Sequence, residues 1–366
     1  MEGERRPFPA EALLRWHQVH GRTPPWDHPT PYQVWVAVVM FHQTRFEVVG
    51  PYFRRFIARF PDPAALAAAD LQEVLRVWEG LGYYRRAQHL HQAARRIVEE
   101  FGGQVPGEWE ALRSLPGVGD YTAGAILSIA FGKDVPAVDG NVARVFARWY
   151  GLEAPVYTGR GREAVVRLVR ESLPSGRAGT FNQALMDLGA LVCVPRAPRC
   201  EECPVGEGCV ARGTGCQEAL PIAAPRRPVP HYEVAAAVLV RDGRVLLAQR
   251  RPEDMLGGLW EFPGGKREAG ESLEECLRRE LEEELGIRVR VGEKLAAFDH
   301  AYTHFQITLH AFWCTLEDAG EVPQCLGCAA WAWVPPEALE EYPLSAVDRR
   351  VALALKAAWR EGPSGH

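Results

Sequence analysis

The chain lacks any long apolar segment. Hydrophobic residues make up 47% of its 366 residues, yet no uninterrupted apolar run approaches the ~20 residues that a membrane-spanning helix requires. Residues 1–12 are charged and contain proline, which is not the pattern of a signal peptide. We therefore expect no membrane partner. We also expect the protein to be cytoplasmic and monomeric. The length is enough for two or three domains.

Positive charge is also limited. The formal net charge is −5, and nearly all of the basic residues are arginine. The charge is uneven: residues 1–230 hold 27 Lys+Arg against 24 Asp+Glu, whereas residues 231–366 hold 15 against 23. A phosphate-binding surface needs only a local basic face, and arginine binds phosphate through a fork of donors. The acidic second part instead suggests carboxylates that bind a metal ion.

Cysteine spacing typical of a disulfide scaffold is absent. Four of the nine cysteines fall within 17 residues, as Cys193-x6-Cys200-x2-Cys203-x5-Cys209, and the other five are scattered. Four thiolates this close together cannot all form unstrained disulfides, but they can bind one soft metal centre, either zinc or an iron–sulfur cluster. A zinc ribbon usually shows two Cys-x2-Cys pairs, which this segment does not have. The pattern also indicates a reducing compartment.

A proline-rich stretch divides the chain into two halves. Residues 221–230 cannot form a helix or a central strand, so we expect a linker there. Helical periodicity dominates before it, whereas strands and one helix are predicted after it. The predicted helices are Ala64–Trp78, Ala87–Phe101, Tyr121–Phe131, Gly161–Leu173 and Leu273–Leu285, and the predicted strands are Tyr232–Val240, Arg244–Gln249 and His304–Cys314. The fold class is therefore multidomain: an all-α domain over 1–220, followed by an α/β domain over 231–360.

The first half contains a Leu-Pro-Gly-Val-Gly segment that ends at Gly119 and is typical of a helix–hairpin–helix. Gly117 and Gly119 let the backbone turn tightly and present its N–H groups to a phosphate at a helix N-terminus. Asp139 and Asn141 follow one short helix later. Asp139 also suits the N-cap of a helix containing Val142–Trp149.

The second half contains a 23-residue pattern that resembles the Nudix box at every defined position. It reads Gly265-x5-Glu271-x7-Arg279-Glu280-Leu281-x-Glu283-Glu284-x-Gly286-Ile287. Glu280, Glu283 and Glu284 are spaced i, i+3 and i+4 on a helix, so their carboxylates share one face. Clustered carboxylates repel one another and favour a hard cation such as Mg²⁺, bridged to a diphosphate.

The order of motifs along nearly the whole chain resembles the MutY family of adenine DNA glycosylases, in the endonuclease III superfamily. The motifs are Pro31-Tyr-Gln-Val-Trp35, Gly80-Leu-Gly-Tyr83-Tyr84, the hairpin, Val138–Asn141, Met186–Cys193 and the four cysteines. The resemblance implies a helix–hairpin–helix domain with a [4Fe–4S] loop at 193–209, followed by a MutT-like Nudix domain. It also implies that the partner is double-stranded DNA containing 8-oxoguanine mispairs.

The resemblance assigns a catalytic role to three residues. Asp139 would stabilise positive charge on the sugar of the flipped nucleotide, with Tyr121 and Asn141 beside it. Tyr121 stands where bifunctional relatives carry a Schiff-base lysine. The nearest lysine, Lys133, is far along the next helix, so the resemblance implies a monofunctional enzyme.

The resemblance also assigns DNA contacts. Tyr83 would wedge beside the lesion and stack on a base, and Gln43 would fill the space left by the flipped base. Gly117 and Gly119 would hold the backbone. The segment Phe298–His304 resembles the family's lesion-reading loop, and its candidate contact residues are His300, Tyr302, Thr303 and His304, with threonine at 303 where serine is usual.

One departure concerns proton transfer. The family motif Val-Ser-Glu-Val-Met-Leu-Gln-Gln-Thr reads Val-Ala-Val-Val-Met-Phe-His-Gln-Thr over residues 36–44. The catalytic glutamate, which is the general acid for an adenine ring nitrogen, therefore falls on Val38. His42 follows four residues later, on the same face of a predicted helix. His42 either replaces the acid or only hydrogen-bonds a base or wedges the duplex.

Several functions fit these motifs. We expect a base-excision-repair glycosylase acting at 8-oxoguanine:adenine mispairs, with adenine removal favoured. An enzyme excising 8-oxoguanine itself is the first alternative, because that base already carries a hydrogen on the ring nitrogen that adenine must gain. The others are a Nudix hydrolase of oxidised nucleoside triphosphates and a non-catalytic lesion-binding protein.

Overall fold

The computed structural model describes residues 6–26, 29–222 and 228–360. It separates into two compact units, the first comprising Met1–Ala68 with His89–Arg226 and the second Ala69–Gln88 with Arg227–His366. Residues 223–227 of the predicted linker lie outside the described residues. The predicted fold class is confirmed, since the first unit is helical and the second contains a mixed sheet.

Helices form the first unit. Their bounds are α1 Ala10–His20, α2 Pro31–Phe41, α3 Phe46–Arg59, α4 Pro63–Ala68, α6 Arg85–Phe101, α7 Trp109–Ser114, α8 Asp120–Ala130, α9 Gly140–Tyr150, α10 Gly159–Ser172, α11 Ala178–Leu191 and α12 Val210–Thr214. Helix α6 belongs to the first unit only from residue 89 onward, and α5, Leu71–Trp78, belongs to the second unit. Three of the predicted helices match α6, α8 and α10 within two residues at each end.

The predicted helix Ala64–Trp78 is wrong, because it is two helices that break at Ala69 and Asp70. The carboxylate of Asp70 caps α5 by accepting a hydrogen bond from the backbone N–H of Gln72 at 2.7 Å. A capping aspartate satisfies an otherwise unpaired donor and so favours a new helix start over continuation of the old helix.

An aromatic core joins α9 and α11. The ring of Phe8 stacks on Phe146 at 4.9 Å between centroids and meets Phe181 edge-on at 6.0 Å. Fully burying a side chain of this size stabilises the fold by about 1.5–3 kcal/mol. Gly189 permits the close approach of the helices, because a Cβ there would lie 2.6 Å from the Cβ of Asn141.

A seven-stranded sheet forms the centre of the second unit. Its strands are β1 His231–Arg241, β2 Arg244–Gln249, β3 Trp260–Glu261, β4 Gly264–Lys266, β5 Val289–Ala301, β6 Gln306–Leu316 and β7 Ala330–Val334. The order is β3-β2-β1-β6-β5, with β4 paired to β1 and β7 to β2; only the β1–β6 pair is parallel.

One helix covers each face of this sheet. Ala235, Ala237 and Leu239 of β1 pack in the same core as α13, Leu273–Leu285, whereas Ala236 and Val238 pack in the same core as α14, Ala346–Arg360. This alternation follows from the two-residue period of a strand.

The predictions for this half agree with β1, β2 and α13, and the predicted strand His304–Cys314 matches β6 within two residues at each end. Strand β5 was missed, and it includes Phe298–Ala301 of the segment predicted to be a lesion-reading loop. These residues pair with β6, with His300 opposite Ile307 and Ala301 opposite Gln306, so strand pairing accounts for the difference. The loop is only the short turn after Ala301.

The segment Ala69–Gln88 packs within the second unit. The side chain of Gln72 donates to the carbonyl of Gly258 at 2.9 Å, and the Tyr84 hydroxyl donates to that of Leu344 at 3.2 Å. Arg349 forms an ion pair with Glu79 at 2.6 Å. The Gly80–Tyr84 motif therefore belongs to the unit that contains the sheet. No helix in the described ranges is both long and apolar enough to span a membrane.

Candidate active site and metal centres

A cavity of about 150 Å³ opens in the first unit. Residues of α2, α8, α9 and α11 contribute to its wall. Four predicted site residues line it, namely Val38, Tyr121, Asp139 and Asn141. Three polar residues for which the sequence predicted no role also line it, namely Arg22, Gln183 and Asp187. Motifs more than a hundred residues apart therefore form one site.

Asp139 is the N-cap of α9, as predicted. Its Oδ1 accepts from the backbone N–H of Val142 at 2.8 Å, and its Oδ2 accepts from the side chain of Asn141 at 2.9 Å. Asn141 in turn accepts from Arg144 at 2.8 Å. These bonds fix the carboxylate in one orientation at the wall of the cavity, as a charge-stabilising group requires.

The segment before Asp139 is held by a buried amide. The side-chain N–H₂ of Asn182 donates to the carbonyl of Val135 and the hydroxyl of Ser128, each at 2.9 Å, and its oxygen accepts from the N–H of Ala137 at 3.1 Å. Asn182 is fully buried, so it satisfies polar backbone groups that water cannot reach. This side chain supports the position of Asp139 although it lines no cavity.

Tyr121 provides a hydroxyl at the cavity. Burial raises the pKa of Tyr121 well above its usual value and the charge of Asp139 adds to this, although Arg22 opposes it. The phenol therefore keeps its proton at neutral pH. It donates to the sulfur of Met186 at 3.6 Å, and a thioether is a weak acceptor, so little is lost when this donor turns to a bound base.

Asp187 and Arg22 form a paired charge on the cavity wall. Asp187 accepts from the backbone N–H of Arg22 at 2.9 Å, from its Nε at 2.7 Å and from His17 at 3.2 Å. Burial opposes ionisation of Asp187, but the hydrogen bonds from His17 and Arg22 outweigh it, so the pKa of Asp187 lies below its usual value. Asp187 is thus a charged anchor for Arg22.

His42 follows directly after the helix that carries Val38. Helix α2 ends at Phe41, and His42 is its C-cap, with φ −59° and ψ 116°, so the chain leaves the helix after His42. The His42 ring lies 5.5 Å from that of Tyr121, and its Nε2 is 3.3 Å from the hydroxyl of Thr122. His42 thus lies beside the catalytic candidate Tyr121 without lining the described cavity.

Of the two predicted hairpin glycines, the structure excludes a larger residue at Gly117 but not at Gly119. Gly117 has φ +75°, and a Cβ there would lie 2.8 Å from the Cβ of His89, so both conformation and space exclude larger residues. Gly119, the N-cap of α8, has φ −90° and no heavy atom within 4 Å of its would-be Cβ. The N-terminus of α8 therefore borders open space, which suits a phosphate.

All four predicted metal-binding cysteines line a second cavity of the first unit, of about 30 Å³. Burial raises the pKa of the Cys203 thiol to about 11 and raises that of Cys200 and Cys209. Burial therefore disfavours the thiolate form of these three cysteines when no cation is present. No three His, Cys, Asp or Glu side chains in the described part of the chain are placed to hold a single metal ion. The four cysteines around this cavity are the kind of donor set that holds a [4Fe–4S] cluster, which is bound by four cysteine thiolates.

Two arginines of α9 organise the cysteine segment. Arg148 is almost fully buried and donates to the carbonyls of Val194 at 2.7 Å and Pro195 at 2.9 Å. Arg144 donates to the carbonyl of Cys193 at 2.8 Å. The helix that Asp139 caps therefore also holds the start of the cysteine segment.

A third cavity, of about 340 Å³, lies in the second unit. Glu280 and Glu284 line it, whereas the Glu283 side chain is 62% exposed. Arg279 joins this cluster, because it pairs with Glu280 at 2.9 Å and with Glu271 at 2.7 Å. The three glutamates predicted to share one face therefore differ in position: Glu280 and Glu284 lie at the cavity wall, and Glu283 lies at the surface.

The ionisation of these carboxyl groups reflects their surroundings. Burial and the charge of Glu280 raise the pKa of Glu284 to about 7, and burial raises the pKa of Glu261, another cavity residue, to about 8 despite its ion pair with Arg250. Hydrogen bonding from Arg279 lowers the pKa of Glu271 to about 2. A divalent cation would relieve the repulsion between Glu280 and Glu284.

The predicted wedge and the predicted lesion-reading segment meet in the second unit. The Tyr83 hydroxyl lies 3.0 Å from that of Thr303, and His304 is exposed. The rings of His300 and Tyr302 are 4.5 Å apart, edge-on, and Tyr302 also lines the third cavity. The segment therefore faces two ways, with Thr303 towards Tyr83 and Tyr302 towards the glutamates.

Gln43 and Tyr83 share an uncommon backbone conformation, with φ +58° and +50°. A non-glycine residue held in this left-handed region costs about 1–3 kcal/mol and persists where its surroundings fix it, often at functional sites. Both residues are exposed. The strain therefore coincides with two predicted DNA-contacting side chains.

Comparison with known proteins agrees with these two units. Residues 36–168 match the family model of the HhH-GPD superfamily of base excision DNA repair proteins, and residues 234–354 match that of the NUDIX domain. A solved thermostable thymine-DNA glycosylase superposes with a TM-score of 0.53 and 28% identity over 56% of this chain and 95% of its own. Fold and site thus define a base-excision repair protein with an added Nudix domain.

Full-length relatives narrow this class. The adenine DNA glycosylase of Homo sapiens is 33% identical over 93% of this chain and 72% of its own length. That of Buchnera aphidicola from Acyrthosiphon pisum is 30% identical over 81% of this chain and 83% of its own. The chain belongs to the adenine DNA glycosylase family, which confirms the resemblance to MutY.

Proposed function

We propose that the protein is a monofunctional base-excision glycosylase that binds 8-oxoguanine:adenine mispairs in duplex DNA and removes the adenine. The main support for this function is the first cavity, because Asp139, Asn141 and Tyr121 all line it. No lysine is among the described residues that line it, which agrees with hydrolysis rather than Schiff-base chemistry. Family membership supports adenine as the base removed.

The chemistry follows from these groups. The flipped nucleotide enters the cavity, and the bond between the base nitrogen and C1′ of the sugar breaks with its electron pair leaving on the base. The Asp139 carboxylate stabilises the positive charge that develops on the sugar. Water then adds to C1′ and loses a proton. Val38 cannot protonate the base, so another group must supply the proton. Among the described residues, the Tyr121 hydroxyl lines the cavity and the His42 ring lies 5.5 Å from the Tyr121 ring.

We propose that Cys193, Cys200, Cys203 and Cys209 hold a [4Fe–4S] cluster. The shared cavity and the raised pKa values of Cys200, Cys203 and Cys209 support this, because a metal centre stabilises thiolates that burial otherwise disfavours. When bound, the cluster cross-links residues 193–209 by metal–thiolate bonds. Arg144 and Arg148 orient the start of this segment against α9.

Removal of 8-oxoguanine itself is the rival reaction, and the apolar Val38 favours it. A strand-labelled assay separates the two. Duplexes with an 8-oxoguanine:adenine pair are incubated with protein and cleaved with alkali, each strand being labelled in turn. We expect cleavage at adenine alone. Cleavage confined to the 8-oxoguanine strand would instead assign the rival reaction.

A second activity, Mg²⁺-dependent hydrolysis of oxidised nucleoside triphosphates, is supported by the third cavity. Glu280 and Glu284 line this cavity, which is large enough to admit a ligand. We expect pyrophosphate release from 8-oxo-dGTP that chelation of Mg²⁺ abolishes and that Glu284→Gln lowers by about 10²-fold or more. Glu282→Gln, an exposed change on the same helix, is the control. Equal background in all variants would make this domain a reader of DNA and not a hydrolase.

A further inference from the structure

The loop that carries Tyr83 is strained at several positions. Gly80, Gly82 and Tyr83 have φ values of +93°, +73° and +50°, so three of four consecutive residues are left-handed. Glycine adopts this conformation freely, whereas tyrosine does not. The Tyr83 side chain is 45% exposed, so its own burial cannot be what holds it there.

One side chain binds the carbonyls of this loop. The guanidinium of Arg86 donates from Nη2 to the carbonyls of Leu81 at 3.2 Å and Gly82 at 2.9 Å, and from Nε to that of Tyr83 at 3.4 Å. Three consecutive carbonyls therefore converge on one group. The indole N–H of Trp78 also donates to the Gly82 carbonyl, at 3.0 Å.

The same guanidinium lies between two rings. Its central carbon is 5.2 Å from the ring centroid of Tyr83 and 5.3 Å from that of Trp78, within the range of a cation–π contact. Trp78 is fully buried, so it gives the guanidinium a fixed base. Arg86 thereby links the exposed Tyr83 ring to the interior of the second unit.

We propose that Arg86 is the positioning residue for Tyr83 and holds the strained loop so that the tyrosine is ordered before it inserts beside the lesion. This inference rests on the proposed lesion-binding function. A lysine cannot replace Arg86, because a single ammonium has neither the planar fork nor the stacking face. Preordering removes an entropic cost that the complex would otherwise bear on binding.

The neighbouring Arg85 provides a matched control. It is exposed and carries the same charge, so Arg85→Gln measures the effect of losing one positive charge from the same segment. The experiment uses the full chain and a duplex with 2-aminopurine next to 8-oxoguanine in the same strand. The fluorescence of 2-aminopurine rises when the base unstacks, and this signal does not require base removal.

We expect Arg86→Gln and Arg86→Lys to reduce the fluorescence rise at saturating protein and to weaken lesion-duplex binding by about tenfold, the size of a lost charged hydrogen bond. Arg85→Gln should weaken binding to damaged and undamaged duplexes equally. In a Tyr83→Ala background, Arg86→Gln should reduce the fluorescence no further and should weaken binding no more than Arg85→Gln does, because its specific action passes through Tyr83.

Two results would overturn the proposal: Arg86→Gln matching Arg85→Gln in both measurements, or its full effect persisting without Tyr83. If Arg86→Gln does not fold, Arg86→Lys decides, and wild-type fluorescence with lysine contradicts the proposal. Failure of this proposal can be distinguished from failure of the proposed base excision. If the protein removes no base, the fluorescence still depends on Arg86.

Discussion

At position 38 a single side chain limits the proton chemistry of the first cavity. Val38 is 4% exposed and packs with Val34, Ala125 and Ala137 while it lines the cavity. An apolar group at this place neither donates nor accepts a proton. The chain must therefore protonate a departing adenine by another group or remove a base that needs no protonation.

Restoring a carboxyl group tests this limit. We expect Val38→Glu to raise single-turnover adenine excision by ~10²–10⁴-fold, the usual contribution of a general acid. Burial raises the pKa of such a carboxyl, so the gain should be present at low pH and be lost as pH rises through that pKa. Val38→Gln, similar in size but not ionisable, is the control. A slower reaction of Val38→Glu, with cleavage of the 8-oxoguanine strand in the wild type, would contradict adenine as substrate.

Residues within compact motifs could be predicted from the sequence, and isolated ones could not. Asp139 was recognisable both as the acid after the hairpin and as a helix cap. Arg22 and Gln183 have no local pattern, and their importance comes from tertiary packing that brings them to the same cavity. Asp187 lies inside the Met186–Cys193 motif, so its position in the motif was the available signal.

At the scale of elements, α9 connects the catalytic candidate with the cysteine segment. Asp139 caps its first turn, and Arg144 and Arg148 on later turns bind the carbonyls of residues 193–195. Loss of order in the cysteine segment would therefore remove polar partners from the helix that positions Asp139. The cluster is expected to affect stability as well as DNA binding.

Metal content tests this connection. We expect purified protein to be brown and to contain about four irons per chain, as a Cys₄-bound [4Fe–4S] cluster requires. Cys203→Ser should lose the iron and melt at a lower temperature, because the substitution removes one thiolate ligand and the cross-link that this ligand makes through the cluster. Cys216→Ser, a change outside the four, is the control and should keep both. A colourless wild type with one zinc per chain would refute the cluster.

Element boundaries followed local signals where those were strong. Helix α13 matched its prediction because Ser272 and Glu275 form a capping box and Gly286 ends the helix in the left-handed region. Strand β5 alternates between exposed and half-buried residues, with only Val289 fully buried, and it is defined by its pairing with β6. Such long-range pairing could not be read from one segment alone.

At the scale of the whole molecule, one segment packs in a different unit from the residues that flank it in the sequence. The segment Ala69–Gln88 precedes the hairpin in sequence but packs within the unit of the sheet, through contacts such as Arg349 with Glu79. The sequence contains no local sign of this arrangement, because partners such as Arg349 and Glu79 are 270 residues apart. Tyr83 and Thr303 are therefore supported by one unit, and Asp139 by the other.

The central claim, that the cavity around Asp139 is where a base is removed, is tested most directly by single-turnover excision with Asp139→Asn on an 8-oxoguanine:adenine duplex. We expect a loss of about 10²–10³-fold or more, the size typical of a lost electrostatic stabiliser, with duplex affinity within about tenfold of wild type. Asp62→Asn is the matched control, since Asp62 also accepts a hydrogen bond from a helix N–H, that of Ala65 at 2.7 Å, but lies outside the cavity. Unchanged excision by Asp139→Asn would contradict the account.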